Sequence, residues 1–461
     1  MLSFRQALRQ GPIEKGPPIA WQRLAGSPSG HQILPARSLP TVAPTRPNWR
    51  RSRQANPLSF GASPPRYVTQ YCCVTYNFLP MNNDLKTKIG NTALAFRGYN
   101  ITNLGRSREL LMHDAYGPVV RQHLKEASAT CAEIIGKRVD LVQRVRLQRE
   151  TRLRTYPEAL ALIVAMELAQ LRLLKEFHNI SSHDAKFAFG YSLGEITAVA
   201  HGGMLEMSNV LRIPLAMAED SIALADDVVM GVLFSRGPAL VEDDVTRLCL
   251  RINADNRGVV AISAILSPNT FLMLGQGDTI DRFKNTMHDL LHPRVHLRVN
   301  PHRWPPLHCC ITWQRNIPNQ AALMLQTLPG GFVTPVPPVL SLVTGKTFYT
   351  DLNARDLLYR WTDHPQRLWD VVDHTLSSGV DTVLHVGPEP NLVPATFKRL
   401  SENVRQQVSG RSLGSIGLKA VSGIVARPWL ATLMPSRTSL LRAPMIQHIS
   451  LENWLLEQPV S

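Results

Sequence analysis

The sequence predicts an α/β protein with a large subdomain on a parallel sheet and a smaller inserted subdomain. Short apolar runs alternate with helical segments from residue 92 onwards, which is typical of parallel sheets. One such run enters a helix through Gly190-Tyr191-Ser192-Leu193-Gly194, and Gly-x-Ser-x-Gly in that context indicates a nucleophile elbow. Strand-helix-strand-strand-helix-strand then follows within residues 227–299, the order of a split βαβ unit. We therefore expect an α/β-hydrolase-like large subdomain with an inserted ferredoxin-like small subdomain.

The elements before the elbow are one strand and two long helices. Residues 92–96 read as a buried strand that ends before Gly98. Residues 106–127 and 155–177 read as helices, and the second has apolar residues at helical spacing that face a core. These elements belong to the large subdomain, which we expect to comprise residues 90–226 and 300–405.

The small subdomain has a clear alternation of elements. Strands are predicted at residues 230–235, 259–266 and 270–274, and helices at 239–250 and 278–291. Residues 227–299 lie between the elbow and the later apolar runs of the large subdomain. We therefore expect them to form an insertion.

Composition and charge argue against a nucleic-acid-binding or membrane protein. The chain has 461 residues, 44% hydrophobic and 18% charged, with a formal net charge of +15. Residues 1–70 carry +9 and residues 405–461 carry +4, which leaves +2 for residues 71–404. The basicity is therefore a property of the ends, and no groove pattern of basic and aromatic residues accompanies it.

The two ends are predicted to be irregular. Residues 1–70 contain eleven of the 34 prolines and one acidic residue, so a disordered basic segment extending to about residue 80 is the simplest interpretation. An organelle transit peptide and a true start at Met81 are the alternatives. Residues 406–461 read as a basic, partly helical tail.

No segment predicts a membrane span, a metal site or a disulfide framework. The longest apolar run, residues 159–166, is too short to cross a bilayer. The six cysteines contain no Cys-x-x-Cys, and neither a zinc-protease nor a phosphate-loop motif is present. We expect a cytoplasmic protein with reduced thiols and no bound cofactor.

The elbow and its surroundings resemble the malonyl-CoA:acyl-carrier-protein transacylase family. That family has Gly-His-Ser-Leu-Gly-Glu where this chain has Gly-Tyr-Ser-Leu-Gly-Glu at residues 190–195, followed by Ala-His-Gly-Gly-Met-Leu at 200–205. Further family-like segments follow in the same order, at residues 262–268, 305–310 and 383–388. The resemblance covers roughly residues 92–400.

The resemblance implies a Ser-His pair. Ser192 would be the nucleophile and His308 its base, in preference to His302 and His364, with the backbone carbonyl of Trp361 orienting the imidazole. The chain has Trp361 where the family has Gln. A serine needs such a base because its hydroxyl is a weak nucleophile at its free pKa.

The oxyanion donors would be two backbone N–H groups, those of Leu193 and Tyr99. The family takes the second from the Gln-Gly-Ser-Gln loop in a Phe-Pro-Gly-Gln-Gly-Ser-Gln segment. Of that segment, only the Phe and the first Gly persist here, as Phe96 and Gly98. A backbone N–H can come from Tyr99 as well as from Gln.

Two substrate-binding positions depart from the family. Met217 stands where malonyl-specific members have a carboxylate-binding Arg, and Tyr191 replaces the His before the nucleophile. Arg212 would point from another face of its helix, whereas Arg236 could reach the site from a loop. A thioether cannot pair with a carboxylate, so we expect preference for malonyl over neutral acyl groups to be reduced or lost.

The resemblance implies transfer of an acyl group from acyl-CoA to the phosphopantetheine thiol of an acyl carrier protein, in fatty-acid or polyketide synthesis. Two other functions remain open. A serine hydrolase or thioesterase uses the same elbow, and a non-catalytic carrier-protein-binding relative would account for the lost family residues. The partner in the first and third cases is an acidic carrier protein, which a basic rim can steer.

Overall fold

The computed structural model describes residues 85–409 and 427–460. The strands of these residues are β1 (Thr92–Phe96), β2 (Phe187–Gly190), β3 (Val228–Ser235), β4 (Val260–Ser267), β5 (Thr270–Gln276), β6 (Val295–Arg303), β7 (Val339–Leu340), β8 (Thr382–Val386) and β9 (Gln447–Ser450). A large sheet has the order β7-β2-β1-β8-β9, and a small sheet has the order β4-β5-β3-β6. All pairs of the large sheet are parallel and all pairs of the small sheet are antiparallel.

The helices surround these two sheets. They are α1 (Leu85–Lys88), α2 (Ser107–Met112), α3 (Gly117–Ile135), α4 (Leu141–Arg146), α5 (Tyr156–His178), α6 (Leu193–His201), α7 (Met207–Ala216), α8 (Ala218–Ala225), α9 (Glu242–Asn253), α10 (Thr279–Thr286), α11 (Ile317–Thr327), α12 (Ala354–Arg360), α13 (Leu368–Ser377), α14 (Leu392–Ser409), α15 (Pro428–Leu433) and α16 (Leu451–Glu457). Short 3-10 turns lie at Ile89–Asn91, Leu153–Thr155, Ser182–Asp184, Met287–Asp289, Cys310–Arg315 and Thr438–Met445. The mixed α/β class is as predicted.

The large sheet is buried on both faces. Along β1, Leu94 and Phe96 enter one hydrophobic core while Ala93 and Ala95 enter the other. Such two-sided burial is why a parallel strand reads as a continuous apolar run. β1 lies between β2 and β8, and the carboxyl ends of neighbouring parallel strands form a crevice where α/β proteins bind ligands.

The small subdomain is the ferredoxin-like unit that the sequence predicts. Its chain order is β3-α9-β4-β5-α10-β6, which is a split βαβ arrangement. The last strand continues to Arg303, four residues past the predicted boundary at 299. Val245 of α9 and Phe283 of α10 pack in the core on one face of its sheet.

One predicted helix is two helices in the structure. Residues 106–127 were expected to be continuous, but α2 ends at Met112 and α3 begins at Gly117. Pro118 explains the break because proline lacks an N–H and is tolerated in the first turn of a helix but not in its interior. α3 then continues to Ile135, where Gly136 ends it with a φ of +66°.

The C-terminal residues differ most from the prediction. Residues 406–461 were expected to be an irregular tail, but α14 runs to Ser409 and residues 427–460 pack on the large sheet. β9 forms the outer parallel strand beside β8, and α16 places Trp454 and Leu455 in the main core. Residues 427–460 are therefore part of the domain rather than an appendage.

The predicted disordered segment, residues 1–80, lies outside the described residues, as do residues 410–426. Within the parts of the chain that the structure describes, no helix is both long and apolar enough to cross a bilayer. The same parts contain no group of three side chains suited to holding a metal ion.

Candidate active site

The nucleophile elbow has the strained geometry that its sequence predicts. β2 ends at Gly190, α6 begins at Leu193, and Ser192 between them has a φ of +54°. A Cβ on Gly190 would lie 2.0 Å from the carbonyl carbon of Gly194, and a Cβ on Gly194 would lie 2.5 Å from the carbonyl oxygen of Arg97. Both positions therefore require glycine. The turn places the Ser192 hydroxyl at the N-terminus of α6, where developing negative charge is favoured.

The structure brings Ser192 and His308 together across 116 positions of sequence. The Ser192 Oγ lies 2.7 Å from the His308 Nε2. The His308 Nδ1 lies 2.7 Å from the backbone oxygen of Trp361, the residue predicted to orient it. Because a carbonyl only accepts, Nδ1 carries the proton and Nε2 is free to accept the Ser192 hydroxyl. His302 is exposed on β6, and His364 bonds Asp363.

Burial makes His308 a base that stays neutral in mild acid. Loss of solvent lowers its pKa to about 4, and the bond to the Trp361 carbonyl and the charge of Asp363 oppose that change only in part. The neutral imidazole is the form that accepts a proton. His308 is therefore in its basic form throughout the physiological range.

This lowered pKa predicts an unusual pH profile. We expect the rate of Ser192 labelling by a fluorophosphonate, which needs an activated serine, to stay at pH 5 within about twofold of its pH 7 value, whereas an imidazole of ordinary pKa would lose about 30-fold. Protonation of His308 removes the base, so the rate falls only as the pH drops through its pKa of about 4. Circular dichroism at each pH controls for unfolding. An acidic limb centred near pH 6.5 would contradict the prediction.

The two predicted oxyanion donors lie beside Ser192. Gly98 packs so closely that a Cβ there would lie 2.7 Å from the Tyr191 oxygen and 3.3 Å from the Ser192 Cβ. Tyr99 follows directly, and Leu193 is the first residue of α6. Neither backbone N–H donates to another described residue. Both N–H groups are therefore without a partner in the described part of the chain, as the predicted role in an oxyanion hole requires.

Arg97 is a buried residue at the site that the sequence did not reveal. It is 0% exposed between β1 and Gly98, and its guanidinium donates to the backbone oxygens of Gly98 and Pro388 and to the Asn103 side chain. Its backbone N–H donates to Glu167 at 2.8 Å. Burial lowers the pKa of Arg97, although nearby carboxylates oppose this. Arg97 folds the loop that carries Tyr99 back onto the sheet, and nothing local distinguishes it from an exposed arginine.

Gln366 is the second residue that sequence reasoning missed. Its side chain is fully buried, its Oε1 accepts the Ser192 backbone N–H at 3.0 Å, and its Nε2 lies 3.3 Å from the His308 Nδ1. The residue follows Pro365 in a loop and has no motif around it. Only the fold brings it to Ser192.

Glu195 anchors the elbow helix from below. Its carboxylate accepts the Ser341 hydroxyl at 2.5 Å, the Tyr349 hydroxyl at 2.8 Å and the Leu342 N–H at 3.2 Å. Burial raises the pKa of Glu195 to about 7 despite these bonds. The carboxylate thus fixes α6 to the segment after β7.

Ser192 and His308 open into a small cavity of about 70 Å³ with aromatic and aliphatic walls. The residues that line it are Tyr99, Tyr156, Tyr191, Ser192, Met230, Ser263, Leu272, Leu274, Trp304, Pro305, Leu307 and His308. The Tyr99 ring meets the Tyr156 and Trp304 rings edge-on, at 4.9 and 5.9 Å between centroids. Among these described lining residues there is no lysine or arginine.

Of the two predicted substrate-binding residues, the structure places only Tyr191 at the cavity. Met217 lies between α7 and α8, 1% exposed, with its side chain in the helical core. Burial of its apolar side chain stabilises the fold at this position, and Met217 is not one of the residues that line the cavity. Arg236 does not line the cavity either: it is exposed, with its guanidinium 5.8 Å from the Phe234 ring centre.

A five-stranded parallel sheet with an elbow at its carboxyl edge and a ferredoxin-like insertion is the fold of malonyl-CoA:acyl-carrier-protein transacylases. FabD from Acinetobacter baumannii shares 17% identity over 68% of this chain and 91% of its own, with a TM-score of 0.55. An acyl carrier protein S-malonyltransferase from Vibrio cholerae shares 18% over 78% and 96%, with a TM-score of 0.53.

A third similar structure is PlMCAT:AntF, a malonyl-transacylase in complex with its type II polyketide acyl-carrier protein. It shares 21% identity over 66% of this chain and 91% of its own, with a TM-score of 0.53. No protein-family model matches the sequence, and no curated protein matches it. At these identities the likeness establishes the fold.

Proposed function

We propose that the protein is an acyl-CoA:acyl-carrier-protein S-acyltransferase that acts through a seryl-acyl intermediate. The observation that carries the proposal is the 2.7 Å contact between the Ser192 Oγ and the His308 Nε2 at the base of one cavity. The shared fold with transacylases supports it, and the PlMCAT:AntF complex supports an acyl carrier protein as partner.

The first half-reaction loads the acyl group on Ser192. As its oxygen attacks the thioester carbonyl carbon, His308 takes the hydroxyl proton through Nε2. The N–H groups of Tyr99 and Leu193 stabilise the oxyanion, and each such donor is worth about 10²–10³ in rate. When the intermediate collapses, the C–S bond breaks and the imidazolium protonates the departing CoA thiolate.

The second half-reaction repeats these steps with a different thiol. His308 takes the proton from the phosphopantetheine thiol, whose sulfur attacks the seryl ester. The oxyanion forms in the same place, and the Ser192 oxygen then leaves with the proton that His308 returns. Such a sequence gives ping-pong kinetics.

Mass spectrometry of the intact protein tests the proposal. Wild-type protein incubated with a panel of acyl-CoAs should gain the mass of one acyl group, and Ser192→Ala should gain none. Adding holo-acyl carrier protein should move that mass to the carrier. Release of free acid without any carrier would identify a hydrolase instead. Absence of an acyl-enzyme with every donor would identify a non-catalytic relative.

The lining of the cavity predicts its acyl preference. A carboxylate taken from water needs a charged or hydrogen-bonding partner, and the described lining supplies no lysine or arginine. We therefore expect kcat/KM for acetyl-CoA or propionyl-CoA to equal or exceed that for malonyl-CoA in the loading step. Competition between donors, with the two acyl-enzyme masses quantified, measures the ratio. A preference for malonyl above about tenfold, or 1.4 kcal/mol, would refute this prediction.

A basic edge of the small subdomain suits an acidic carrier protein. Arg298 and Arg303 lie exposed on β6, the outer strand of its sheet, and Arg294 lies exposed immediately before it. β6 leads directly to Trp304 in the cavity wall. Positive charge at a rim raises the association rate of an acidic partner.

Charge reversal on this edge should affect only the second half-reaction. We expect Arg298→Glu to raise the KM for carrier protein several-fold, with weaker dependence on salt, because rim charges act on association. Loading from acyl-CoA should not change. Arg121→Glu, an exposed change on α3, is the matched control. Equal effects of both substitutions would remove β6 as the docking edge.

A further inference from the structure

Ser192 and His308 are both held in strained backbone conformations. Their φ angles are +54° and +64°, in the left-handed region that non-glycine residues rarely adopt. Such strain persists only where surrounding contacts determine the conformation. The contacts that hold these two residues come largely from one short stretch of chain.

That stretch is the clamp segment, residues 361–366, which joins α12 to α13. It holds both polar backbone groups of Ser192: the Trp361 indole N–H donates to the Ser192 oxygen at 2.9 Å, and the Gln366 Oε1 accepts the Ser192 N–H at 3.0 Å. Trp361 is 1% exposed and Gln366 0%. The clamp side of each bond is therefore shielded from water, and the Ser192 oxygen also accepts the Glu195 N–H at 3.0 Å.

The clamp segment also holds His308 at two points. The Trp361 oxygen accepts from the His308 Nδ1 at 2.7 Å, and the Thr362 oxygen accepts the His308 backbone N–H at 2.8 Å. Trp361 thus binds His308 through its carbonyl and Ser192 through its side chain. Trp361 therefore contacts both members of the Ser192–His308 pair.

The segment is itself fixed to the small subdomain. The Gln366 N–H donates to the Ser263 oxygen at 2.9 Å, and the Ile265 N–H donates to the Gln366 oxygen at 2.8 Å. These bonds add the segment to the outer edge of β4. Gln366 therefore reaches Ser192 from a rigid support rather than from a free loop.

We propose that the side chains of Trp361 and Gln366 are positioning residues, which keep the Ser192 hydroxyl in line with His308 by holding the Ser192 backbone. The inference rests on the proposed function only in taking Ser192 as the nucleophile. Ordinary core packing would need the bulk of these side chains but not their polar atoms. Gln366→Leu and Gln366→Glu keep the bulk and remove or change the polar atoms. Trp361→Phe removes the indole N–H together with some volume, so a second buried Trp→Phe change is needed to match the lost volume.

Gln366 allows a second test, through the pH dependence of the reaction, because its side-chain amide lies next to the His308 imidazole. The His308 Nδ1 already donates to Trp361, so the Gln366 Nε2 at 3.3 Å is a neutral neighbour rather than a donor to it. Gln366→Glu keeps an acceptor for the Ser192 N–H but adds negative charge at this place. An opposite charge at that range raises the pKa of an imidazole by about 1–3 units.

The experiment compares Trp361→Phe, Gln366→Leu and Gln366→Glu with Trp369→Phe. Trp369 is a buried tryptophan on α13 whose ring packs against Trp429. The readouts are the rate of Ser192 labelling by a fluorophosphonate, which needs an activated serine but no acyl-CoA, and kcat and KM for acyl-CoA loading. Thermal melting of each variant reports folding.

We expect Trp361→Phe and Gln366→Leu to slow labelling and kcat by about 10²-fold, the cost of a misplacement of about 1 Å, with KM changed less than twofold. Trp369→Phe should label within twofold of wild type. Gln366→Glu should move the acidic limb of labelling up by at least one pH unit. That shift remains measurable if Gln366→Leu does not fold.

Three results would overturn the proposal. Labelling of Trp361→Phe and Gln366→Leu at the wild-type rate would show that the polar atoms are dispensable. An equal loss in Trp369→Phe would show general packing, and an unmoved limb in Gln366→Glu would remove the contact with His308. Wild-type protein that labels but never loads from acyl-CoA refutes the proposed function and leaves the clamp standing. Wild-type protein that does not label refutes both.

Discussion

Replacing His308 with alanine is expected to slow acylation of Ser192 by about 10⁴–10⁶-fold, as removal of the base does in other serine enzymes. The Ser192 hydroxyl donates to His308 at 2.7 Å, and no second base among the described residues lies within hydrogen-bond distance of it. Loss of the imidazole leaves the oxyanion donors and the cavity in place. The slow acyl-enzyme that remains is therefore detectable by mass, unlike in Ser192→Ala.

The matched control for this prediction is His302→Ala. His302 is exposed on β6 and is the alternative base that lies nearest in sequence. Its removal should leave the loading rate within twofold of wild type. Rapid mixing with acyl-CoA followed by acid quench and intact mass gives both rates. Normal loading by His308→Ala would mean that the 2.7 Å contact is not the one that activates Ser192.

The parts of the site that could be predicted are those with a local steric cause. Gly190 and Gly194 are required because no Cβ fits within the elbow, and such a requirement is legible in five residues of sequence. β1 was predicted to the residue because a strand buried on both faces is an unbroken apolar run. The small subdomain was predictable for a different reason: strand-like and helix-like segments alternate along the sequence in the order of a split βαβ unit.

The missed residues act through contacts between distant parts of the chain. Gln366 reaches Ser192 across 174 positions, and Arg97 reaches Pro388 across 291. Each is a polar residue in a loop, where exposure is the ordinary expectation. The prediction for Met217 differs in the opposite sense. Counting residues from the elbow matched it to a substrate-binding position of the family, but its side chain lies in the hydrophobic core. Counting along the sequence gives the position of a residue but not which other parts of the chain its side chain contacts.

The C-terminal strand was missed because its composition hides it. β9 has only four residues, Gln447–Ser450, and the first two are half-buried and polar. An outer strand pairs on one side only, so it lacks the continuous apolar run of the inner strands. The segment nevertheless reaches the loop of Arg97: Glu452 accepts the N–H groups of Glu389 and Arg106, at 2.9 and 3.0 Å. Burial raises the pKa of Glu452 to about 7.

Trp454→Ala is expected to lower the free energy of unfolding by about 3–5 kcal/mol, the usual cost of removing a buried tryptophan. Trp454 is 4% exposed on α16, and its ring meets the His178 ring of α5 at 4.8 Å. Met445→Ala, at an 80% exposed position of the same segment, should change it by less than about 0.5 kcal/mol. Urea unfolding monitored by circular dichroism measures both. If residues 427–460 were an appendage, the two variants would have the same free energy of unfolding. A lower value for Trp454→Ala alone would show that these residues stabilise the domain.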